Sequence, residues 1–158
     1  MEFIKIVDDG DVMQSLGHLI KRWRPDKARQ FLLNELSPTR LDHVAIDNGE
    51  VIGWIRGHHR QDYIWKNLVE FAARPEGWVC SYVSEMFVHP SWRRKGMGSL
   101  LIEGFMREVQ EANNNAVILL MDQSSEELKD GLPKFYGANG FYVPEMVKYR
   151  SDLLVRKL

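Results

Sequence analysis

Apolar residues along this chain change their spacing several times, and each change marks an element. Phe3, Ile4, Ile6 and Val7 predict a first strand, stopped by Asp8-Asp9-Gly10-Asp11, whose carboxylates are suited to cap a following helix. Val12, Leu16, Leu19, Ile20 and Trp23 recur at helical spacing until Pro25 ends the run, and a second helix is expected from Ala28 to Leu36. Val44-Ala45-Ile46 and Val51-Ile52-Gly53-Trp54-Ile55 flank Asp47-Asn48-Gly49-Glu50, where Asn-Gly signals a hairpin between the second and third strands. Tyr63, Ile64, Trp65, Leu68, Val69, Phe71 and Ala72 make a helix possible, stopped by Arg74-Pro75-Glu76-Gly77; the stretch is either an insertion that serves substrate specificity or one whose Trp65, Leu68 and Phe71 cover a sheet edge.

Val79 to Val88 reads as a long strand. Gly98 to about Ala112 reads as a helix carrying Leu101, Ile102, Phe105, Met106 and Val109 on one side. Asn113-Asn114-Asn115 looks like its end. The unbroken apolar run Ala116 to Met121 predicts a strand buried on both faces and paired in parallel. A shorter helix is expected around Glu126 to Asn139, then strands over Phe141 to Val147 and Asp152 to Leu158.

Length and composition narrow the picture. A chain of 158 residues fits one domain, 1–158, and 44% apolar with 27% charged residues is the balance of a globular protein. A formal net charge of −1 gives no global attraction to nucleic acid, so any anion site must be local. The single cysteine, Cys80, excludes an internal disulfide framework and a Cys-rich zinc site, and its expected role is strand packing. No run of about 18 apolar residues and no charged-then-apolar leader is visible, so a cytoplasmic location is expected.

The chemistry concentrates between Val83 and Gly104, where a strand, a basic glycine turn and an amphipathic helix follow one another. Gly96 and Gly98 remove side chains from the turn, so backbone N–H groups can approach an anion, and the next helix points its positive end at the same spot. Arg93, Arg94 and Lys95 add mobile positive charge. Two familiar phosphate motifs fail here: Lys95 precedes both glycines, against a Walker loop, and Leu101 stands where a dinucleotide fingerprint needs its third glycine. The plainer reading is a turn using glycine for tightness.

Arg93-x-x-Gly96-x-Gly98 after Val88-His89-Pro90 resembles the acetyl-coenzyme A motif Q/R-x-x-G-x-G/A of the GCN5-related N-acetyltransferases (GNAT family), and Phe135-Tyr136-Gly137-Ala138-Asn139-Gly140-Phe141 resembles the family's F-Y-x-x-x-G-F segment. The resemblance implies a GNAT fold of α/β (α+β) class: a central mixed, mostly antiparallel sheet of about six to seven strands, flanked by about four helices and splayed between the fourth and fifth strands. It implies that acetyl-coenzyme A is the cosubstrate, without a metal. Backbone groups of Met86, Phe87 and Val88 would pair with the pantetheine arm, and Arg93, Arg94, Lys95, Gly96, Met97, Gly98 and Ser99 would hold the pyrophosphate. Tyr136 matches the tyrosine that donates a proton to the departing thiolate. Lys129 and Leu132 depart from the family's Asn and Ala, so the match gives no cofactor contact there.

An acceptor amine must lose a proton before it attacks, and Glu85, a carboxylate within an apolar strand, is the first candidate base. A strand Glu can also face solvent or pair with a basic side chain. His58 and His59 point to opposite faces of a strand, so at most one could serve as a base, and a surface role is expected for both. The expected acceptor is a primary amine on a small cationic molecule, an aminoglycoside or a polyamine, suited by Glu70, Glu76, Glu85, Asp122, Glu126, Glu127 and Asp130. A protein N-terminus or lysine is the alternative acceptor, and a non-catalytic acyl-coenzyme A binding module the alternative class. Partners are then a small-molecule amine and, as an assembly the fold allows, a second copy in a homodimer, with no nucleic acid and no membrane.

Overall fold

A computed structural model of the chain describes residues 1–5, 10–26, 40–59, 65, 73–122, 129–147 and 151–158. The elements are β1 (Glu2–Lys5), α1 (Gly10–Trp23), β2 (Arg40–Asp47), β3 (Glu50–His58), β4 (Cys80–Val88), a 3-10 turn (Pro90–Trp92), α2 (Met97–Glu111), β5 (Ala116–Leu120), α3 (Leu132–Ala138), a second 3-10 turn (Glu145–Val147) and β6 (Leu153–Lys157). Six strands pair in the order β1-β2-β3-β4-β5-β6, a mixed sheet in which β4 and β5 are parallel while β1–β2 and β5–β6 are antiparallel. The α/β expectation is met. The second predicted helix, Ala28 to Leu36, lies outside the described residues. Phe141 to Val147 is not a strand: a single bridge joins Tyr142 to Val155, and the chain then enters the second 3-10 turn. Pro144 explains this, because it has no N–H for a ladder, and the Val147 N–H bonds its carbonyl instead.

The chain divides into two compact units, Met1–Gly57 with Glu85–Phe105, and His58–Ser84 with Met106–Leu158. In the first, Leu16, Leu19 and Ile20 of α1 pack on Val44, Val51, Trp54 and Phe87. The β2–β3 hairpin turns at Asn48 and Gly49, both left-handed at φ 49° and 79°, as the Asn-Gly pair predicts. Buried Arg56 donates to Asp42 at 2.7 Å, and the Trp54 Nε1–H donates to the same carboxylate at 3.0 Å. That pairing accounts for two charges inside otherwise apolar strands.

In the second unit Cys80, Ala116, Ile118, Leu153 and Val155 form a core joined by Trp65, with Trp78 and Tyr82 against it. Trp65 is thus a buried member of this core; the rest of the stretch from Arg60 to Ala72 lies outside the described residues. Burial pushes the Cys80 thiol up to about 11, against the opposing pull of Arg74 and Lys157, so it stays a neutral packing group. The three asparagines divide the work after α2. Asn113 takes the left-handed cap at φ 59°, Asn114 donates to buried Ser81 at 2.7 Å, and the Asn115 side chain accepts from Val79 N–H and donates to the Gly77 carbonyl.

Candidate active site

The first unit holds the strand-turn-helix junction that the sequence singled out. β4 ends at Val88; His89 N–H donates to the Ile52 carbonyl at 2.8 Å, and the His89 ring accepts from Ser91 N–H, opening the 3-10 turn. Burial, with Arg22 next in weight, holds the His89 imidazole below its ordinary pKa, in keeping with that acceptor role. Beyond it Arg94 and Gly96 are left-handed, at φ 60° and 80°, with Lys95 between them at negative φ. Such alternation turns successive N–H groups toward one side, as in anion-binding nests. A Cβ on Gly96 would meet nothing within 4 Å, so glycine is required there by its dihedral, and the space beside it is open. The first bond of α2 runs from Leu100 N–H to the Gly96 carbonyl at 3.0 Å, which leaves the amides of Met97, Gly98 and Ser99 ahead of the ladder. This cradle suits a pyrophosphate, with the helix dipole behind it.

The three basic residues take different positions around the turn. Arg94 and Lys95 are exposed, Lys95 lying 5.4 Å from the Trp92 ring centre. Arg93 turns back over β4, its guanidinium 5.3 Å from the Phe87 ring centre and its Nε–H donating to the Val88 carbonyl at 3.1 Å. Met86 and Val88 are half-buried and Phe87 is buried, stacked on Trp23 at 5.2 Å. Glu85 is half-buried with its Oε2 shielded from solvent, so it is no freely solvated strand carboxylate.

The second unit holds Tyr136, buried on α3 with its ring edge-on to Phe135 and Phe141. The F-Y-x-x-x-G-F spelling is a helix stop. Gly140 is left-handed at φ 83°, its N–H bonds the Gly137 carbonyl, and Phe141 N–H reaches back to the Tyr136 carbonyl at 3.0 Å. Those two bonds define a Schellman cap, and the Tyr136–Phe141 ring contact at 5.7 Å is the apolar contact that accompanies it. Burial, then the negative charge of Asp122, pushes the Tyr136 phenol up to about 12. That influence of Asp122 could not be read from its place in the sequence.

Other candidates fall differently. His59 is half-buried with Nδ1 2.5 Å from Ser81 Oγ, so the surface role expected for it does not hold; His58 closes β3. Lys129 is exposed, Leu132 begins α3 and Asp122 is half-buried, while Glu70, Glu126 and Glu127 lie outside the described residues. A groove of about 660 Å³ in the second unit runs along Pro133 and Gly137 of α3, bordered by Met121, Phe141, Tyr142 and Leu154. Tyr136 does not line it. No described helix is long and apolar enough to cross a membrane.

In fold the chain is similar to an aminoglycoside 6'-N-acetyltransferase solved with coenzyme A, at 15% identity and a TM-score of 0.72 over 99% of this chain and 97% of that one. It is similar to the aminoglycoside 6'-N-acetyltransferase from Enterococcus faecium, at 15% identity and 0.70 over 99% and 97%, and to Tetrahymena GCN5, at 15% identity and 0.66 over 99% and 96%. No curated protein matches the sequence. Residues 40–143, from β2 to just past α3, match a family model described as an acetyltransferase (GNAT) domain. With that match over most of its length, the chain belongs to the GNAT family of acetyl-coenzyme A-dependent acetyltransferases.

Proposed function

We propose that this enzyme moves the acetyl group of acetyl-coenzyme A to a primary amine of a small cationic molecule, of aminoglycoside or polyamine type, in the cytoplasm. The observation that carries this reading is the turn at Arg94 to Ser99, whose left-handed residues and leading helix amides suit a pyrophosphate. The acceptor class is supported by the aminoglycoside acetyltransferases among its fold neighbours and by the carboxylates of Glu76, Glu85, Asp122 and Asp130. The whole chain acts as one catalytic domain.

Acetyl transfer needs a neutral amine, a polarised carbonyl and a stabilised leaving thiolate. Glu85 takes the proton of the ammonium, directly or through water, and frees the lone pair. Nitrogen attacks the thioester carbonyl carbon, the C–N bond forms, and the C–S bond breaks with its electron pair on sulfur. The second nitrogen proton leaves as the amide forms and reaches the thiolate through solvent. Tyr136 serves the sulfur as a hydrogen-bond donor. With its phenol near 12 and an ordinary thiol near 8.5, full proton transfer runs uphill by about 5 kcal/mol, so a neutral donor is the form available.

The test is thiol release from acetyl-coenzyme A with an aminoglycoside, a polyamine and a peptide bearing a free N-terminus and a lysine. Turnover is expected with one of the first two. Turnover with the peptide alone moves the acceptor to protein amines.

A further inference from the structure

We propose that Arg93 is a positioning residue: it occupies the Val88 carbonyl and so fixes where the pantetheine arm stops pairing with β4, and it is not a ligand of the phosphates. The inference rests on the reading that coenzyme A lies along β4 and the turn.

Successive residues of a strand send their N–H and C=O groups to opposite edges. His89 donates toward β3, to Ile52, so the Val88 carbonyl, on the same peptide unit, points to the other edge of β4. On that edge the parallel ladder with β5 runs from Cys80↔Ala116 to Val83↔Leu119, while β4 continues to Val88. An extended ligand can add there as a strand does. The Arg93 Nε–H already bonds the Val88 carbonyl at 3.1 Å, while its guanidinium lies over Phe87. The backbone holds it in place: Trp92 N–H bonds the His89 carbonyl at 2.8 Å and Arg93 N–H the Pro90 carbonyl at 3.3 Å. A hydrogen bond from a charged donor outlasts a neutral one, so the contact persists when a ligand arrives. A ligand pairing along this edge of β4 therefore meets an occupied acceptor at Val88 and leaves the strand there, just before the amides that begin at Arg94.

Two substitutions separate the roles, because Gln carries an N–H donor the same number of bonds from the backbone as Arg Nε but no charge. Affinity for coenzyme A and for pantetheine, which lacks phosphates, is measured by titration for Arg93→Ala and Arg93→Gln, with thermal unfolding alongside. Arg93→Ala is expected to weaken both ligands by the same factor, roughly 10-fold, and Arg93→Gln to restore most of the loss for both. Weaker coenzyme A binding in both variants with unchanged pantetheine binding makes Arg93 a phosphate ligand and overturns the proposal. Unchanged affinities with a lower unfolding temperature make it a brace of the fold and overturn it too. A Gly98→Asp control separates the parent reading: it should lose coenzyme A and keep pantetheine, and if it keeps coenzyme A the turn, not Arg93, has been misread.

Discussion

The roles proposed for Glu85 and Tyr136 are each testable by removing a few atoms. Glu85→Gln keeps size and removes the base, so turnover should fall by about 10²-fold or more with little change in coenzyme A affinity. The acidic limb of the pH–rate profile should change with it; a variant that keeps both rate and limb returns Glu85 to a structural part. Tyr136→Phe keeps the ring that packs on Phe141 and removes only the donor. Single-turnover acetyl transfer should slow by roughly 10-fold to 10³-fold, and full speed would reject the donor role. The same hydroxyl has a stability signature. Its folded pKa is raised to about 12 from an ordinary value near 10, so its contribution is complete below pH 10 and is lost as pH rises toward 12. Urea unfolding of Tyr136→Phe should show a shallower loss than the parent above pH 10, by up to about 1.4 kcal/mol per pH unit.

At the scale of elements, periodicity located what local physics decides. The Asn-Gly hairpin, the apolar side of α2 and the doubly covered strand β5 were all legible, because turn chemistry and burial pattern agree there. Contacts set by distant residues were not. The posture of Arg93 depends on a ring and a carbonyl that its own spacing does not encode, and Phe141 to Val147 has strand composition but enters a proline-led turn. The F-Y-x-x-x-G-F segment was legible as spelling; its cause, a Schellman cap that brings Phe141 onto Tyr136, needed the backbone. Gly104 tests such a long-range cause. In mid-helix, alanine would ordinarily gain up to about 1 kcal/mol, yet a Cβ there would stand 2.0 Å from the Phe3 ring. Gly104→Ala should therefore destabilise by roughly 1–3 kcal/mol in urea unfolding, and part of the loss should return with Phe3→Leu. A Gly104→Ala protein as stable as the parent contradicts this packing of α2 on β1.

For the whole molecule, near-neutral charge and a single buried thiol excluded broad classes, and two short motifs pointed to the family that the match over residues 40–143 then showed. The acceptor was not legible, because solvated helix faces and loops carry as many carboxylates as a cleft for a cationic amine would. The central claim is that the turn at Arg94 to Ser99 holds the pyrophosphate of coenzyme A, and calorimetric titration of coenzyme A into the parent and Gly98→Asp tests it most directly. A carboxylate near a helix N-terminus favours the fold by complementing the dipole, so the variant should stay folded while repelling phosphate. The account predicts binding to the parent and a loss of at least about 10²-fold in the variant, some 2.7 kcal/mol; equal affinity in a folded Gly98→Asp protein would contradict it.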